Sequence, residues 1–334
     1  MISNSPKQKV SLIGGSGFIG TTLAKQLAEL GIEFEIIDLR SSPVFPEKTK
    51  FGDVRDLASL KDTITGDVVV NLAAVHRDDV KDPSAYYDTN VFGSKNVANA
   101  CSALNIRKIV FTSSVAVYGF VKKTTGEDGE INPFNDYGRS KYQAEGMFEE
   151  WRAQSSENAL FIVRPTVVFG EGNRGNVHNL LYQIAKGRFF MVGSGRNHKS
   201  MAYVENISRF LLQCICSKRT YGVYNYVDGP DLNMNELTHQ IKSKLGKKPS
   251  RFKIPYFIGI CLGITADFLS KLSGRKFPIS LIRVRKFCAT TSFSSNKFEL
   301  DDFQQIVSLR EAIDRTVEYE FLSNDKSRPV FFTE

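Results

Sequence analysis

A glycine-rich turn between a short apolar run and a helical segment is the feature that most constrains the fold. Val10–Ile13 predicts a buried strand, GGSGFIG follows it, and TTLAKQLAELG then has a helical pattern. Gly14, Gly17 and Gly20 have the GxxGxxG spacing, which lets a backbone turn tightly and approach a pyrophosphate. The following helix would direct free N–H groups at the phosphates. Because glycine triplets also occur in purely structural turns, the strand before and the helix after are what favour a dinucleotide site.

An acidic residue at the end of the next predicted strand indicates which dinucleotide is bound. EFEIID ends in Asp38, where an acid would hydrogen-bond the adenosine ribose and repel a 2′-phosphate. The sequence therefore favours NAD over NADP, although Arg40 could accept that phosphate. The other predicted cofactor contacts lie in the glycine turn and at strand ends: Phe18, Ile19, Asp53, Val54, Leu72, Ala73, Ala74 and Pro165.

Three further runs are continuously apolar rather than alternating: DVVVNLAA, KIVFTSS and ALFIVRP. Strands that are buried on both faces of a parallel sheet have this pattern. Helical segments near Pro83–Leu104 and Asp136–Arg152 separate the runs. We therefore predict an α/β fold with a doubly wound parallel (Rossmann) sheet in residues 1–165. Residues 166–334 would form a smaller C-terminal α/β substrate lobe, with some exchange of chain between the two lobes.

Two residues four apart at a predicted helix start are the candidate catalytic pair. NDYGRSKYQAE places Tyr137 and Lys141 on one helix face. A free tyrosine has a pKa of about 10 and is a poor base at neutral pH, but an adjacent ammonium favours its phenolate. We expect Tyr137 to act as a general base and Lys141 also to hold the nicotinamide ribose. Ser114 would hydrogen-bond the reacting substrate oxygen, while Ser113 would only satisfy backbone groups.

Cysteine and histidine usage argues against two other kinds of site. Five cysteines in a chain of this length fit reduced thiols in a cytoplasm better than a disulfide framework. Cys214 and Cys216 form a lone CxC motif, and the four histidines lack the spacing of metal ligands. We therefore expect no metal site.

The segment 242–297 is strongly basic and contains an uncharged run. It has thirteen lysines and arginines against one acid, Asp267, and Ile254–Ala266 carries no charge. That run is shorter than the ~20 residues that span a bilayer, so it predicts either a buried helix of the substrate lobe or a helix on an anionic membrane surface. Nucleic acid is not expected, because aromatic stacking motifs are missing. The predicted membrane contacts are Lys253, Lys271, Arg275, Lys276, Arg283, Arg285 and Lys286 at headgroups, with Phe257, Ile258, Leu262 and Phe268 at the acyl boundary.

These motifs together resemble the extended short-chain dehydrogenase/reductase superfamily, in its sugar epimerase and dehydratase branch. The resemblance covers nearly the whole chain and rests on GxxGxxG, GDVRD, NLAA, YxxxK and RPTVVFG. It implies that Tyr137 is the general base, Ser114 its partner on the sugar O4, and Lys141 the residue that binds the cofactor and lowers the tyrosine pKa. MVGSGRNHKSMAYV resembles the loop that contacts the substrate diphosphate, with Lys199 as its cation. Arg174 and Asn176 are the other predicted substrate contacts.

A narrower resemblance concerns HRDDV, GNRGNVHNLL, KSMAYVENI, NYVDGPDLNMNEL and RVRKFCATT. These stretches are similar to bacterial undecaprenyl-diphosphate-linked N-acetylglucosamine 4-epimerases. The resemblance implies an NAD-dependent 4-epimerase that converts lipid-linked GlcNAc to GalNAc for surface polysaccharide or O-antigen synthesis. Its rivals are a UDP-GlcNAc 4-epimerase, a UDP-4-keto-sugar reductase and a non-enzymatic NAD-dependent regulator.

The same resemblance implies where the protein acts and how it assembles. We expect a protein of the bacterial cytoplasm that is peripherally associated with the inner face of the cytoplasmic membrane. We also expect a homodimer that pairs through the helices starting near Pro83 and Asp136, as enzymes of this branch usually do.

Overall fold

A computed structural model describes residues 8–77, 80, 82–121, 123–248, 252–274, 280–324 and 327–332. The strands are β1 Val10–Ile13, β2 Phe34–Asp38, β3 Thr49–Phe51, β4 Val68–Asn71, β5 Lys108–Thr112, β6 Ala159–Pro165, β7 Val167–Phe169, β8 Met191–Val192, β9 His198–Tyr203, β10 Tyr221–Tyr226, β11 Asp228–Asn233 and β12 Lys253–Ile254. The α-helices are α1 Phe18–Glu29, α2 Leu57–Thr63, α3 Ser84–Tyr86, α4 Gly93–Ala103, α5 Asp136–Ala153, α6 Asn176–Ala185, α7 Val204–Cys216, α8 Met234–Lys244, α9 Tyr256–Ser273, α10 Leu281–Cys288 and α11 Leu309–Val317.

The centre of the molecule is a seven-stranded sheet in the order β10-β6-β5-β4-β1-β2-β3. Every neighbouring pair is parallel. The apolar runs form its inner strands, whose residues are buried because helices cover both faces. The prediction of a doubly wound parallel sheet is therefore confirmed.

The chain crosses between the two predicted lobes more than once. The edge strand β10 comes from beyond residue 165 and pairs with β6. Helix α7 also returns to the first lobe, where Ile207, Phe210 and Leu211 join the core cluster that contains Leu23 and Leu27 of α1. Residues 204–226 thus follow residue 165 in sequence but pack in the first lobe.

The second lobe is small and surrounds its own apolar core. It contains a three-stranded sheet, β11-β9-β7, and the two-stranded pair of β12 with β8. Side chains of α6, α8 and α11 meet in one cluster with the three-stranded sheet. Because β7 directly follows β6, this lobe lies beyond the carboxyl end of the central sheet.

Helix α9 contains the uncharged run and continues to Ser273. Only its two glycines, Gly259 and Gly263, are buried among its residues, so the interpretation of a buried lobe helix is wrong. Phe257 is 67% exposed, Phe268 61% and Leu272 70%. Among the described residues α9 is the one helix long and apolar enough to cross a membrane, by length and composition alone. Two residues predicted to contact headgroups, Arg275 and Lys276, lie outside the described part of the chain.

Helix α10 packs along the first half of α9 and runs antiparallel to it. A Cβ added at Gly263 would lie 2.9 Å from the Cα of Leu281, and one added at Gly259 would lie 3.4 Å from a methyl of Val284. The backbone N–H of Leu281 donates to Asp267 over 3.0 Å. Gly263 is therefore needed where the two helices cross closely, whereas at Gly259 the close neighbour is Val192 of β8, 2.5 Å from an added Cβ. Most other α9 side chains face outward.

Candidate active site

A cleft of about 840 Å³ runs along the carboxyl ends of the central strands and is closed on the other side by the second lobe. The carboxyl edge of a parallel sheet is the general place for a nucleotide in this architecture. Most residues predicted to bind a cofactor or substrate line this cleft: Gly14, Gly17, Phe18, Ile19, Gly20, Asp38, Asp53, Val54, Leu72, Ala73, Ala74, Ser114, Tyr137, Lys141, Pro165 and Asn176.

The glycine turn forms one wall of the cleft, and each of its three motif glycines has a different role. Gly14 has φ +76°, and a Cβ on it would lie 2.6 Å from the backbone nitrogen of Ala73. A Cβ at Gly20 would lie 2.5 Å from the Cα of Gly15, so the helix packs directly on the turn. Gly17 is the N-cap of α1 and has no capping side chain, which leaves the helix N-terminus open to a ligand.

Asp38 is held at the end of β2 by two backbone groups. Its carboxylate accepts the N–H of Ser16 and the N–H of Arg40, each over 3.1 Å. Asp53 pairs with Arg55 over 2.6 Å, and this hydrogen bond lowers the pKa of the Asp53 carboxyl. Two acidic groups therefore face the part of the cleft next to β2 and β3, which suits ribose hydroxyls and disfavours an added phosphate.

The predicted catalytic residues are brought together by a backbone contact between two elements. The Asn135 side chain caps α5 by accepting the N–H of Gly138 over 2.9 Å, so Tyr137 lies in the first helical turn. A Cβ at Gly138 would lie 2.5 Å from the carbonyl oxygen of Ala116. That close approach places α5 against the turn that begins at Ser114. The Ser114 oxygen accepts the N–H of Ala116 over 3.1 Å, an arrangement that leaves its hydroxyl proton available to a substrate.

Lys141 lies one helical turn after Tyr137 and is almost fully buried. Its ammonium lies 4.3 Å from the ring centroid of Phe111. Burial lowers the pKa of Lys141 to about 7, while the carboxylate of Glu145, one helical turn further on, acts in the opposite direction. The charge of this lysine therefore depends on its neighbours, and an anion at Tyr137 would favour the ammonium form.

A buried polar network below Lys141 was not identified from the sequence. Arg164 of β6 donates to both carboxylate oxygens of Glu145, over 2.9 and 2.6 Å, and to the Tyr118 hydroxyl over 2.7 Å. The Ser113 hydroxyl also donates to Glu145, so Ser113 has a structural role, but through a carboxylate rather than through backbone groups. The network links β6 to α5, which carries Tyr137 and Lys141, and to the turn after β5, which carries Ser114. An arginine within the apolar run ALFIVRP was the signal that could have indicated it.

Two of the predicted substrate contacts are not among the described residues that line the cleft. The Lys199 ammonium donates to the carbonyls of Lys286 and Ala289, over 2.8 and 2.7 Å, at the end of α10. Arg174 pairs with Glu320 over 2.9 Å. The sequence predicted Lys199 as a diphosphate contact and Arg174 as a further substrate contact, whereas backbone carbonyls hold Lys199 and an acidic side chain holds Arg174. Lys286 lines the cleft instead.

The residues present fit a dinucleotide such as NAD. The Thr112 hydroxyl is buried in the cleft wall and has no hydrogen-bond partner in the described structure, so a bound polar group would satisfy it. At Gly17 a Cβ would lie 3.3 Å from the carbonyl oxygen of Gly14, a tight approach, and glycine leaves this part of the turn open. The glycine turn would hold the pyrophosphate, Asp38 the adenosine ribose and Lys141 the nicotinamide ribose.

Comparisons with known proteins agree with this geometry. The model of the NAD dependent epimerase/dehydratase family matches residues 10–226. The N-acetyl-alpha-D-glucosaminyl-diphospho-ditrans,octacis-undecaprenol 4-epimerase of Escherichia coli O157:H7 is 47% identical over 328 residues, which cover 97% of this chain and 99% of that protein. The UDP-glucose 4-epimerase of Vibrio cholerae is 26% identical, over 80% of this chain and 86% of its own length.

Solved structures show the same fold at low sequence identity. The UDP-glucose 4-epimerase of Thermotoga maritima with UDP-glucose superposes with a TM-score of 0.74 at 20% identity, covering 93% of this chain and 98% of its own. The UDP-glucose 4-epimerase of Thermus thermophilus in complex with NAD gives 0.71 at 20% identity, with the same coverage.

Proposed function

Because the chain belongs to the NAD dependent epimerase/dehydratase family, we propose that it inverts C4 of an N-acetylhexosamine linked by diphosphate to undecaprenol, converting GlcNAc to GalNAc. The observation that carries this proposal is the near full-length identity of 47% to the Escherichia coli enzyme of that name. The chain also has Ser114, Tyr137 and Lys141 side by side in the cleft, which a non-enzymatic regulator would not need. The product would serve surface polysaccharide or O-antigen synthesis.

In the proposed mechanism the protein moves one proton and positions the sugar. Tyr137, as the phenolate, takes the proton from O4 while Ser114 donates a hydrogen bond to the same oxygen. The Lys141 ammonium stabilises the phenolate and, once the sugar has turned in the cleft, Tyr137 returns the proton to O4. NAD, when bound, supplies the hydride acceptor and then the hydride donor.

Lys286 is our candidate for the diphosphate contact in place of Lys199. It faces the cleft from α10, and its ammonium lies 5.3 Å from the ring centroid of Phe134, three residues before Tyr137. Lys199 contributes indirectly, because its ammonium fixes the Lys286 carbonyl and therefore the last turn of α10. A diphosphate next to Lys286 would lie between the sugar site and the α9–α10 pair.

The proposal is tested by turnover with two substrates in parallel and no added cofactor. We expect the purified enzyme to retain NAD, because an epimerase regenerates NAD⁺ in each cycle, and to epimerise GlcNAc on undecaprenyl diphosphate far faster than on UDP. Faster turnover of UDP-GlcNAc would support the rival UDP-sugar epimerase. A strict need for stoichiometric NADH or NADPH would instead indicate a 4-keto-sugar reductase.

The enzyme would lie on the inner face of the cytoplasmic membrane with α9 in the interface. A spanning α9 is disfavoured, because α10 packs along its first half and would bring Arg283, Arg285 and Lys286 into the hydrocarbon. Each such charge would cost about 2.5–3.5 kcal/mol at the bilayer centre. In the plane of the interface, Arg283 and Arg285 would meet anionic headgroups while the exposed apolar face of α9 leaves water, and Lys286, predicted from the sequence as a headgroup contact, lines the cleft instead.

A homodimer is the proposed assembly, paired through α5 and the helical stretch from Ser84 to Ala103. Phe92 and Tyr142 are exposed on these helices, and Val91 and Met147 line the groove between them. At Gly146 a side chain would meet nothing within 4 Å, so the groove is open to a partner.

We expect the variant with Phe92→Glu and Tyr142→Glu to be a folded monomer, since both charges would be buried in the pair. Light scattering at micromolar concentration is the measurement, and Phe298→Glu, which changes an exposed ring elsewhere, is the matched control. A wild-type monomer under these conditions would remove the dimer proposal.

A further inference from the structure

Two exposed aromatic rings stand at the rim of the cleft, close to the catalytic tyrosine. Phe120 and Phe134 are 50% and 41% exposed, and their ring centroids are 4.5 Å apart. Gly119, which lines the cleft, lies against the backbone that leads into Phe134. Binding of an apolar ligand to two large exposed apolar side chains beside an active site is favourable, because it removes their surface from water.

A cation is placed directly beside this ring pair. The Lys286 ammonium lies 5.3 Å from the Phe134 ring centroid and borders the cleft. A ligand that extends from the cleft at this point would therefore meet a positive charge and apolar rings side by side. This combination matches an amphiphile whose diphosphate is followed at once by a hydrocarbon chain.

Helix α10, which carries Lys286, also has an exposed apolar residue and contacts α9. Ile282 lies one turn before Lys286 in α10, so the two side chains share a helix face, and Ile282 is exposed. The first residue of α10, Leu281, touches the middle of α9 at Gly263. Helix α10 thus borders the cleft at Lys286 and contacts α9, whose outer surface is exposed and apolar, through Leu281.

We propose that Phe120, Phe134 and Ile282 bind the first isoprene units of the carrier lipid and so select a prenyl diphosphate over a nucleoside diphosphate. This inference rests on the proposed function and names the part of the substrate that the ring pair recognises. A uracil ring could also stack on the pair, but its amide groups require hydrogen-bond partners. A prenyl chain requires only apolar surface, which the two rings, Ile282 and the exposed residues of α9 offer.

The test uses water-soluble substrates, so that membrane binding does not contribute. GlcNAc diphosphate esterified with a farnesyl group is compared with the same compound carrying a methyl group. In the wild type we expect a KM for the farnesyl compound that is lower by about tenfold or more, because the chain buries apolar surface on the rings. The double variant Phe120→Ala with Phe134→Ala should raise that KM by about tenfold. Its kcat, its KM for the methyl compound and its NAD content should stay unchanged.

Two further variants control for indirect effects. Phe120→Leu with Phe134→Leu keeps an apolar surface and should retain most of the preference for the farnesyl compound. Phe298→Ala with Ile306→Ala removes two exposed apolar side chains that do not line the cleft and should change nothing.

Three outcomes would overturn the inference. An unchanged farnesyl KM in the alanine variant would show that the rings do not bind the chain. An equal rise for both compounds would assign them to the sugar or the diphosphate. If the wild type turned over only UDP-GlcNAc, and the alanine variant raised that KM, the rings would bind uracil and the proposed function would fail as well.

Discussion

Replacing Tyr137 by phenylalanine is expected to lower turnover by ~10² or more while the protein stays folded with NAD bound. The substitution removes only the phenol oxygen, and the ring keeps its place next to Tyr86, 6.4 Å away between centroids. Without that oxygen, the O4 proton has no acceptor beside Ser114. The measurement is kcat under saturating substrate, with near-ultraviolet absorbance to count bound cofactor.

Tyr142→Phe is the matched control for this experiment. It removes a phenol from the same helix, α5, at an exposed position outside the described lining of the cleft. We expect wild-type turnover from it. If Tyr137→Phe kept more than half of the wild-type rate, the assignment of the general base would be wrong.

The buried network affects the charge of Lys141, a residue of the proposed catalytic set. Burial draws the pKa of Lys141 down to about 7, and Glu145 opposes this. Glu145 is itself held by Arg164, so its negative charge is already paired. In the proposed mechanism a phenolate at Tyr137 would add a second negative charge that favours the ammonium of Lys141.

The sequence predicted the parts of the site that depend on local spacing. The glycine turn, Asp38 and the Tyr137–Lys141 pair each lie within one strand–turn–helix unit or one helix face, where chain geometry alone fixes their relation. Ser114 was also placed correctly in the cleft, because the end of a parallel strand lies at the ligand edge of the sheet.

The rest depended on contacts between distant segments. Lys199 was predicted to contact the diphosphate because of its position in a loop. In the fold its ammonium instead binds the carbonyl of Lys286 at the end of α10, which is 87 residues away in sequence. Arg164 and Glu145 were missed for the same reason, since β6 and α5 meet only in the folded sheet. The uncharged run was ambiguous because apolar composition does not reveal whether other elements cover a helix.

The second large expected effect concerns membrane binding through the exposed face of α9. We expect wild-type protein to bind vesicles that contain anionic lipid, and the variant Phe257→Glu with Phe268→Glu to bind at least ~10² more weakly. Both rings are more than half exposed, and each ring that leaves water contributes about 1.5–3 kcal/mol. The glutamates would also be repelled by the anionic surface. Sedimentation with vesicles at low salt is the measurement.

Salt dependence separates the charged contribution from the apolar one. Lys253, predicted as a headgroup contact, instead donates to Ser194 and Asn235 over 2.9 Å. Lys271, Arg283 and Arg285 lie on the α9–α10 pair, and each basic residue near an anionic surface is worth about 1 kcal/mol. Raising the salt concentration should therefore weaken wild-type binding, because ions screen these charges within about a Debye length. The glutamate variant should bind weakly at every salt concentration.

A control variant and a turnover measurement test whether α9 serves membrane binding. Phe298→Glu with Ile306→Glu changes two exposed apolar residues away from α9 and should bind vesicles like the wild type. With undecaprenyl-linked substrate in vesicles, turnover by the α9 variant should fall together with binding, while the bound NAD stays in place. A soluble short-chain substrate should be turned over normally, because the cleft is unchanged. If the wild type ignored anionic vesicles at low salt and turned over UDP-GlcNAc efficiently, α9 would have no role at a membrane, and the lipid-linked substrate would have to be abandoned with it.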